Sequence, residues 1–417
     1  MELLWILELG VWGFVNRLTP KNGLRSSVLA DIKSQTAAEL QAQFQAWRQP
    51  VYRVSQLLEW LYVHRVINWD DMTNLPRALR DELRKHYSLH SLELVRRQGS
   101  RDTTQKFLWR LSDHSLIESV LIPANPALYG EPSDRHTLCV STQVGCAYGC
   151  KFCASGLEGL RRNLHVEEIV DQVLAVERES VECRVSSVEQ APHHASRNTH
   201  HVSSPRPSTL DPRLVSNLVI MGMGEPLANY DNLIKALKIL NAPWGGGIGA
   251  RRITVSTSGL APQIHKLAGE PLQFRLAISL HGATDETRNK IMPVNRKYPL
   301  RELTAACEYY QQKKGRTITF EYILIEGVND GLDQVKPLAA LARRLNAKVN
   351  LIPYNKVEGL PWERPGERAQ ETFLAALEKQ KIAATLRREK GHDIDAACGQ
   401  LRLKTEHELA VEKSATF

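Results

Sequence analysis

The chain has little cysteine and distributes it unevenly. Seven cysteines in 417 residues are too few and too clustered to staple a secreted scaffold, which packs its bridges into a short chain. Long hydrophobic runs are absent too, and a membrane span needs about 20 consecutive apolar residues. Met1 to Leu18 is apolar in parts, but Glu2 and Glu8 interrupt it and no basic stretch precedes it. It reads as neither a span nor a secretory signal. An acidic excess is also missing. The formal charge is +8 and the pI is near 9.1, which suits a polyanionic partner such as RNA as well as it suits an ordinary basic protein. These absences point to a cytoplasmic, reducing setting, and the length suggests two or three domains.

Three of the seven cysteines stand inside eight residues, Cys146-Ala-Tyr-Gly-Cys150-Lys-Phe-Cys153. Three thiolates on one loop suit a metal cluster better than a disulfide, since an odd set leaves one sulfur unpaired. Four-iron clusters normally take four cysteines, so a three-cysteine loop leaves one iron open to a small molecule. Zinc is the rival reading, but a structural zinc wants a fourth ligand. No second C-x2-C or H-x3-H pair stands nearby.

The first ninety residues read as helical. Val54, Leu57, Leu58 and Leu61 repeat at helical spacing, and a second short helix starts at Leu75-Pro76-Arg77. Arg48, Arg53, Arg65, Arg77, Arg80, Arg84 and Lys85 make this region basic, with Trp47, Tyr52, Trp60, Tyr62 and Trp69 interleaved. That mixture serves either an RNA-contacting surface or the small domain's own core. Residues from about Leu92 to Ile122 then alternate in strand fashion.

From Thr137 the pattern becomes strand then helix, repeated. Strands are expected at Thr137–Thr142, Asn217–Met223, Ile253–Thr257, Phe274–Leu280, Thr317–Leu324 and Lys348–Pro353. Helices are expected at Val166–Glu177, Asn232–Leu240, Leu300–Lys313 and Gln334–Leu345. Such alternation calls for a parallel sheet with right-handed crossovers. Six units make a partial (β/α)6 barrel in an α/β chain, with chemistry at the C-terminal strand ends. The expected division is an N-terminal helical accessory domain at 1–91, a β-rich connector at 92–136, the barrel at 137–391 and a C-terminal segment at 392–417. Glu179 to Pro212 shows no apolar period and holds Pro192, Pro205, Pro207, His193, His194, His200 and His201. It reads as an inserted surface loop, although histidine-rich tracts also bind metal.

The strand ends carry small polar groups. Met221-Gly222-Met223-Gly224-Glu225-Pro226 follows the second strand, with glycines for close backbone approach and a carboxylate suited to an ammonium group. Ser256-Thr257-Ser258-Gly259, Ser279-Leu280-His281-Gly282 and Tyr354-Asn355 close later strands. Each Ser or Asn alone is equally a helix cap. Cys139 and Cys398 stand outside the loop, and each alone reads as a buried structural thiol.

Taken together, the C-x3-C-x2-C loop, Gly224-Glu225, Ser-Thr-Ser-Gly, Ser279-Leu280-His281, Asn355 and Ala396-Ala397-Cys398-Gly399-Gln400-Leu401 resemble the dual-specificity RNA adenine methyltransferase family of the radical S-adenosylmethionine superfamily. The resemblance covers roughly Gln49 to Leu403. Only an N-terminal extension before about Leu24 and the His/Ser/Pro insertion depart from it.

The resemblance implies one 4Fe-4S cluster on Cys146, Cys150 and Cys153, with S-adenosylmethionine at Gly224, Glu225, Ser256, Ser279, Leu280, His281 and Asn355. It further implies two cofactor molecules per turnover. One methylates Cys398; the other is cleaved to a 5′-deoxyadenosyl radical that takes hydrogen from that methyl group. Carbon 2 of adenine is not nucleophilic, so ordinary methyl transfer fails there and the cofactor supplies the hard step. A covalent protein–RNA adduct follows. Glu118 matches the family's proton acceptor, and Cys139 the thiol that releases product by forming a disulfide with Cys398. The implied partners are large-subunit ribosomal RNA, certain transfer RNAs and a flavodoxin or ferredoxin reductant, with the chain monomeric. Two other readings remain. One is the sister enzyme acting at adenine carbon 8, which tends to carry Ala where this chain has Pro226. The other is a non-catalytic metal-containing RNA-binding module, which has no need of a distant thiol pair.

Overall fold

The computed structural model describes residues 29–100, 103–123, 135–189, 213–387 and 399–415. The N-terminal extension, the histidines of the expected insertion and Cys398 lie outside the described residues.

The N-terminal module contains α1 (Ala37–Ala46), α2 (Tyr52–Tyr62) and α3 (Arg77–His86), tied by the short parallel pair β1 (Ala30–Asp31) and β2 (Tyr87–Ser88). Helix α1 starts at a capping box in which Thr36 Oγ1 accepts from the Glu39 amide and the Glu39 carboxylate accepts from the Thr36 amide, worth about 1 kcal/mol. Helix α2 turns Val54, Leu57, Leu58 and Leu61 inward. Each such buried side chain contributes roughly 1.5–3 kcal/mol. Most of the interleaved aromatics belong to this core. Tyr62 and Trp69 are buried, Trp47 and Trp60 half-buried, and Tyr52 exposed.

One sheet organises the rest. Strands β3 (Glu93–Gly99), β4 (Gln105–Arg110) and β5 (Leu116–Pro123) run antiparallel, and β5 pairs antiparallel with β6 (His136–Cys139). From β6 the sheet continues in parallel through β9 (Asn217–Ile220), β10 (Ile253–Thr257), β11 (Arg275–Ser279), β12 (Thr319–Leu324), β13 (Lys348–Pro353) and β14 (Ala384–Leu386). A separate hairpin of β7 (Gln143–Gly145) and β8 (Leu160–Asn163) frames the cysteine loop. The crossover helices are α4 (Val166–Glu189), α5 (Tyr230–Asn241), α6 (Ala261–Gly269), α7 (Asp285–Ile291), α8 (Leu300–Lys314), α9 (Val335–Arg344) and α10 (Glu367–Lys379), and α11 (Gln400–Ala415) closes the chain.

The two faces of the parallel sheet differ in polarity. On β12, Tyr322 stacks on Phe373 of α10 with ring centroids 5.7 Å apart, so Phe320 and Tyr322 face the helix layer. Alternation along a strand then turns Glu321 to the barrel interior.

The pattern expected from sequence differs at two places. Helix α4 runs to Glu189, past Glu177 and eleven residues into the stretch expected to be an aperiodic insertion. Val181, Val185 and Val188 repeat at four and three residues, a helical period, and no proline interrupts before Pro192. In addition, a seventh parallel strand, β14, joins the six expected. At three residues it is too short for alternation to reveal. The β-rich stretch before residue 137 supplies three strands to this same sheet.

Two buried ion pairs clamp the N-terminal module to α4: Lys33 Nζ lies 3.0 Å from Asp171, and an Arg65 guanidinium nitrogen 3.1 Å from Glu177.

Candidate active site

The cysteine loop is held at its base and along its length. Cys146 N donates to Gly159 O at 3.0 Å. Gly145, at φ +77°, could not carry a Cβ, which would lie 2.0 Å from that same carbonyl. Further along, Lys151 N donates to Ile291 O of α7 at 2.9 Å, and Trp362 Nε1 donates to Lys151 O at 2.7 Å. Phe152 meets the edge of His281 at 4.9 Å.

All three thiols are half-buried. Burial pushes Cys146 up to about 12, and the charges of Cys153 and Glu225 add to this. Cys150 is driven well above the ordinary thiol range, by burial first and then by Cys153 and Cys146. The sulfurs therefore sense one another's charge, so a cation among them would stabilise the thiolates that are otherwise disfavoured at Cys146 and Cys150. Among the described residues no cluster of His, Cys, Asp or Glu is already arranged around a single metal ion. The fit to a cluster rests on this donor set.

Glu225 is buried and follows Gly224, whose φ of +100° admits no side chain because a Cβ would lie 2.5 Å from Gln143 Cβ. The Glu225 carboxylate accepts from Leu227 N at 3.1 Å and from Ser258 N at 2.7 Å. It thus joins the β9 and β10 loops and keeps lone pairs for an ammonium group. Burial raises its pKa, opposed by these hydrogen bonds. Ser256 and Ser279 meet across β10 and β11, with hydroxyl oxygens 3.3 Å apart. Leu280 is buried. His281 stands at φ +52°, and its Nδ1 accepts from Ile323 N at 3.0 Å. Burial lowers its pKa to about 3, so the imidazole is neutral and carries its proton on Nε2. Asn355 is half-buried, two residues beyond β13.

Glu118 lies on β5, buried, and three donors converge on its carboxylate. Lys106 Nζ of β4 is 3.0 Å from Oε2. Gly399 N donates to Oε2 and Arg402 N to Oε1, each at 2.7 Å. The start of α11 therefore sits on Glu118, the usual place for an anion at a helix N-terminus. Cys139, buried at the end of β6, pairs with Val120, two residues along β5 and on the same face as Glu118. Cys398 itself lies outside the described residues, but its neighbour Gly399 is bonded to Glu118.

Several structural residues escape a reading of the sequence. Arg288 of α7 is fully buried and donates to the carbonyls of Ser258 (2.9 Å), Ser279 (3.2 Å) and Leu280 (2.5 Å). It fixes two strand ends at once, yet Asp-Glu-Thr-Arg-Asn-Lys reads as an ordinary exposed helix. Lys106 and Arg402 are equally buried. Arg402 reaches Glu158 at 2.8 Å and Glu406 at 2.7 Å, docking α11 on the segment that follows the cysteine loop.

A parallel partial barrel with a three-cysteine loop after its first strand defines a radical S-adenosylmethionine enzyme. Known proteins agree. Residues 211–338 match the radical SAM superfamily model, and residues 30–89 match the ribosomal RNA large subunit methyltransferase N-terminal domain. A radical SAM methyltransferase from Sphaerobacter thermophilus superposes with a TM-score of 0.77 at 41% identity, covering 89% of this chain and 98% of that one. The probable dual-specificity RNA methyltransferase RlmN 3 of Opitutus terrae is 52% identical over 92% of this chain and 97% of its own. The probable dual-specificity RNA methyltransferase RlmN of Akkermansia muciniphila is 48% identical over 92% and 98%. The chain belongs to the RlmN family of radical SAM RNA methyltransferases, and that membership implies a 4Fe-4S cluster and S-adenosylmethionine. Among the described residues no helix is long and apolar enough to cross a membrane.

Proposed function

We propose that this methyltransferase modifies carbon 2 of a specific adenine in large-subunit ribosomal RNA and in certain transfer RNAs, using Cys398 as methyl carrier. The observation that carries the reading is the hydrogen bond from Gly399 N to Glu118 at 2.7 Å, with Cys139 on the strand beside Glu118. Gly399 and Cys139, far apart in the chain, thereby both lie against the same stretch of β5, which supports the reading.

In this reading Cys146, Cys150 and Cys153 hold the cluster, whose chemistry when bound is the reductive cleavage of S-adenosylmethionine. Gly224, Glu225, Ser256, Ser279, Leu280, His281 and Asn355 bind and orient that cofactor, and each turnover uses two molecules of it. Cys398 carries the methyl carbon to the adenine, forming a protein–RNA adduct. Glu118 takes the proton from the adenine carbon. Cys139, as thiolate, attacks the Cys398 sulfur; the S–S bond forms as that sulfur's bond to the methylene carbon breaks, and the electron pair stays with the methylene, which takes up a proton to become the methyl group. The target base leaves its stack to reach the barrel mouth. A flavodoxin or ferredoxin reductant and a monomeric state complete the reading, and Pro226 favours carbon 2 over carbon 8.

Denaturing gels of protein incubated anaerobically with RNA, reductant and S-adenosylmethionine test it. Cys398→Ala should give neither methylated RNA nor adduct. Cys139→Ala and Glu118→Ala should retain RNA covalently. Normal product release by Cys139→Ala, or RNA trapped on Cys398→Ala, contradicts the assignment. Mass spectrometry of the methylated adenine separates carbon 2 from carbon 8.

A further inference from the structure

The interior of the parallel strands holds a charged group with no role in the proposed mechanism. Glu321 sits at the middle of β12, 5% exposed, and faces the barrel interior because its neighbours Phe320 and Tyr322 face the helices. It lies beside Ser279, Leu280 and His281, three of the residues expected to hold the cofactor. It pairs in register with Ser279 of β11 and with Asn350 of β13. Its main-chain carbonyl accepts from Leu280 N at 2.9 Å and His281 N at 3.3 Å. Glu321 Oε1 accepts from Asn350 Nδ2 at 3.0 Å. The other oxygen, Oε2, is buried and accepts no hydrogen bond among the described residues. Arg387 Nη1 stands 3.9 Å from it, too far to donate. Burial raises the pKa of this carboxyl, opposed by Arg387 and Asn350.

A buried acceptor without a donor is costly and calls for an explanation. Here a ligand donor supplies one. We infer that Glu321 accepts hydrogen bonds from the vicinal hydroxyls of the S-adenosylmethionine ribose, alongside the hydroxyls of Ser256 and Ser279. The inference rests on the cofactor implied by family membership. The cofactor's donors are its ammonium group, its ribose hydroxyls and its adenine amine. Glu225, which senses the Cys146 and Cys150 sulfurs, is the carboxylate near the cluster end. Glu321 is three strands further along the sheet, about 14 Å at the usual strand spacing and less across a curved interior. A carboxylate at that remove from the ammonium end meets the sugar. Two adjacent hydroxyls suit a carboxylate oxygen with open lone pairs beside two serine hydroxyls 3.3 Å apart. An internal RNA nucleotide offers no such pair, since its 3′ oxygen is esterified.

Equilibrium dialysis on anaerobically reconstituted holoprotein tests the assignment without turnover, using S-adenosylmethionine and its 2′-deoxy and 3′-deoxy analogues. Wild-type protein should bind one or both deoxy analogues roughly ten- to hundredfold more weakly than the parent, as for a lost hydrogen bond to a charged acceptor. Glu321→Ala should weaken the parent by a similar factor and discriminate against the deoxy analogues less than about threefold. Glu321→Gln keeps the shape and the side that faces Asn350. With a melting temperature no lower than that of wild type, it should show the same loss of discrimination in smaller degree, which separates binding from misfolding. Unaltered affinity in both variants, or full discrimination retained in Glu321→Ala, overturns the role of Glu321 while leaving the family reading intact. Wild-type holoprotein that fails to bind S-adenosylmethionine would overturn the family reading itself.

Discussion

Two buried carboxylates at opposite ends of the sheet, Glu118 and Glu321, are completed to different degrees. On the antiparallel half, Glu118 is saturated by groups of the chain itself: Lys106 Nζ and the amides of Gly399 and Arg402. On the parallel half, Glu321 is left with one buried oxygen that nothing among the described residues bonds. A carboxylate completed by the protein also holds in place the segment that completes it, here the start of α11. A polar group left incomplete lowers stability and is kept where something else completes it. The difference sets Glu118, which anchors the start of α11, apart from Glu321, whose second oxygen stays open to a small molecule.

Breaking the completed half should have the largest effect. Lys106→Met removes a cation that is fully buried and leaves Glu118 buried without it. Losing one partner of such a pair costs about 3–5 kcal/mol, read as a lower urea midpoint, and the two amides from α11 offset part of that loss. An unchanged midpoint would mean that Glu118 depends on α11 alone.

The incomplete half should respond in the opposite direction. Glu321→Gln is expected to stabilise cofactor-free protein at neutral pH by about 1 kcal/mol, since a buried carboxyl whose charged form burial disfavours is replaced by a neutral amide. The sign follows from the raised pKa. The unfolded carboxyl ionises near 4.5 and the folded one only at higher pH, so wild-type stability falls as pH rises between those two values. The variant's advantage should therefore vanish below about pH 4.5 and grow above it in thermal melts. A pH-independent difference would place its origin in packing instead.

The smallest effect lies at the N-terminal module. Arg77 and Lys85 have largely exposed side chains, whereas Arg80 donates to the Asp70 carbonyl at 2.7 Å. Neutralising Arg77 and Lys85 should flatten the salt dependence of RNA binding by roughly 0.7–0.9 for each phosphate no longer neutralised. Neutralising Arg80 should alter stability more than this slope. Filter binding across a salt series distinguishes the three.

Local pattern made much of the fold legible. Strands Ile253–Thr257 and Lys348–Pro353 have the bounds their alternation indicates, and helix α8 ends one residue from its expected end, at a left-handed Gly315. Where pattern was thin the reading stopped short. The three residues of β14 carry too little alternation, and the valine period of α4 was masked by the serines and charges around it.

The sequence by itself determined the donor set, the three-cysteine spacing, the order of strands and helices, and the small polar residues at the strand ends. Those properties are local, set by the strand and helix periods and by side-chain chemistry. Only the tertiary structure decided that Gly399 meets Glu118, that Lys106 is buried beneath it, that Arg288 ties two strand ends together, and that Glu321 is left short of a partner. Each of these depends on strand register or on contacts between residues far apart in the chain. A one-residue slip in register turns every side chain to the other face, and no local pattern reports which buried group goes unpaired.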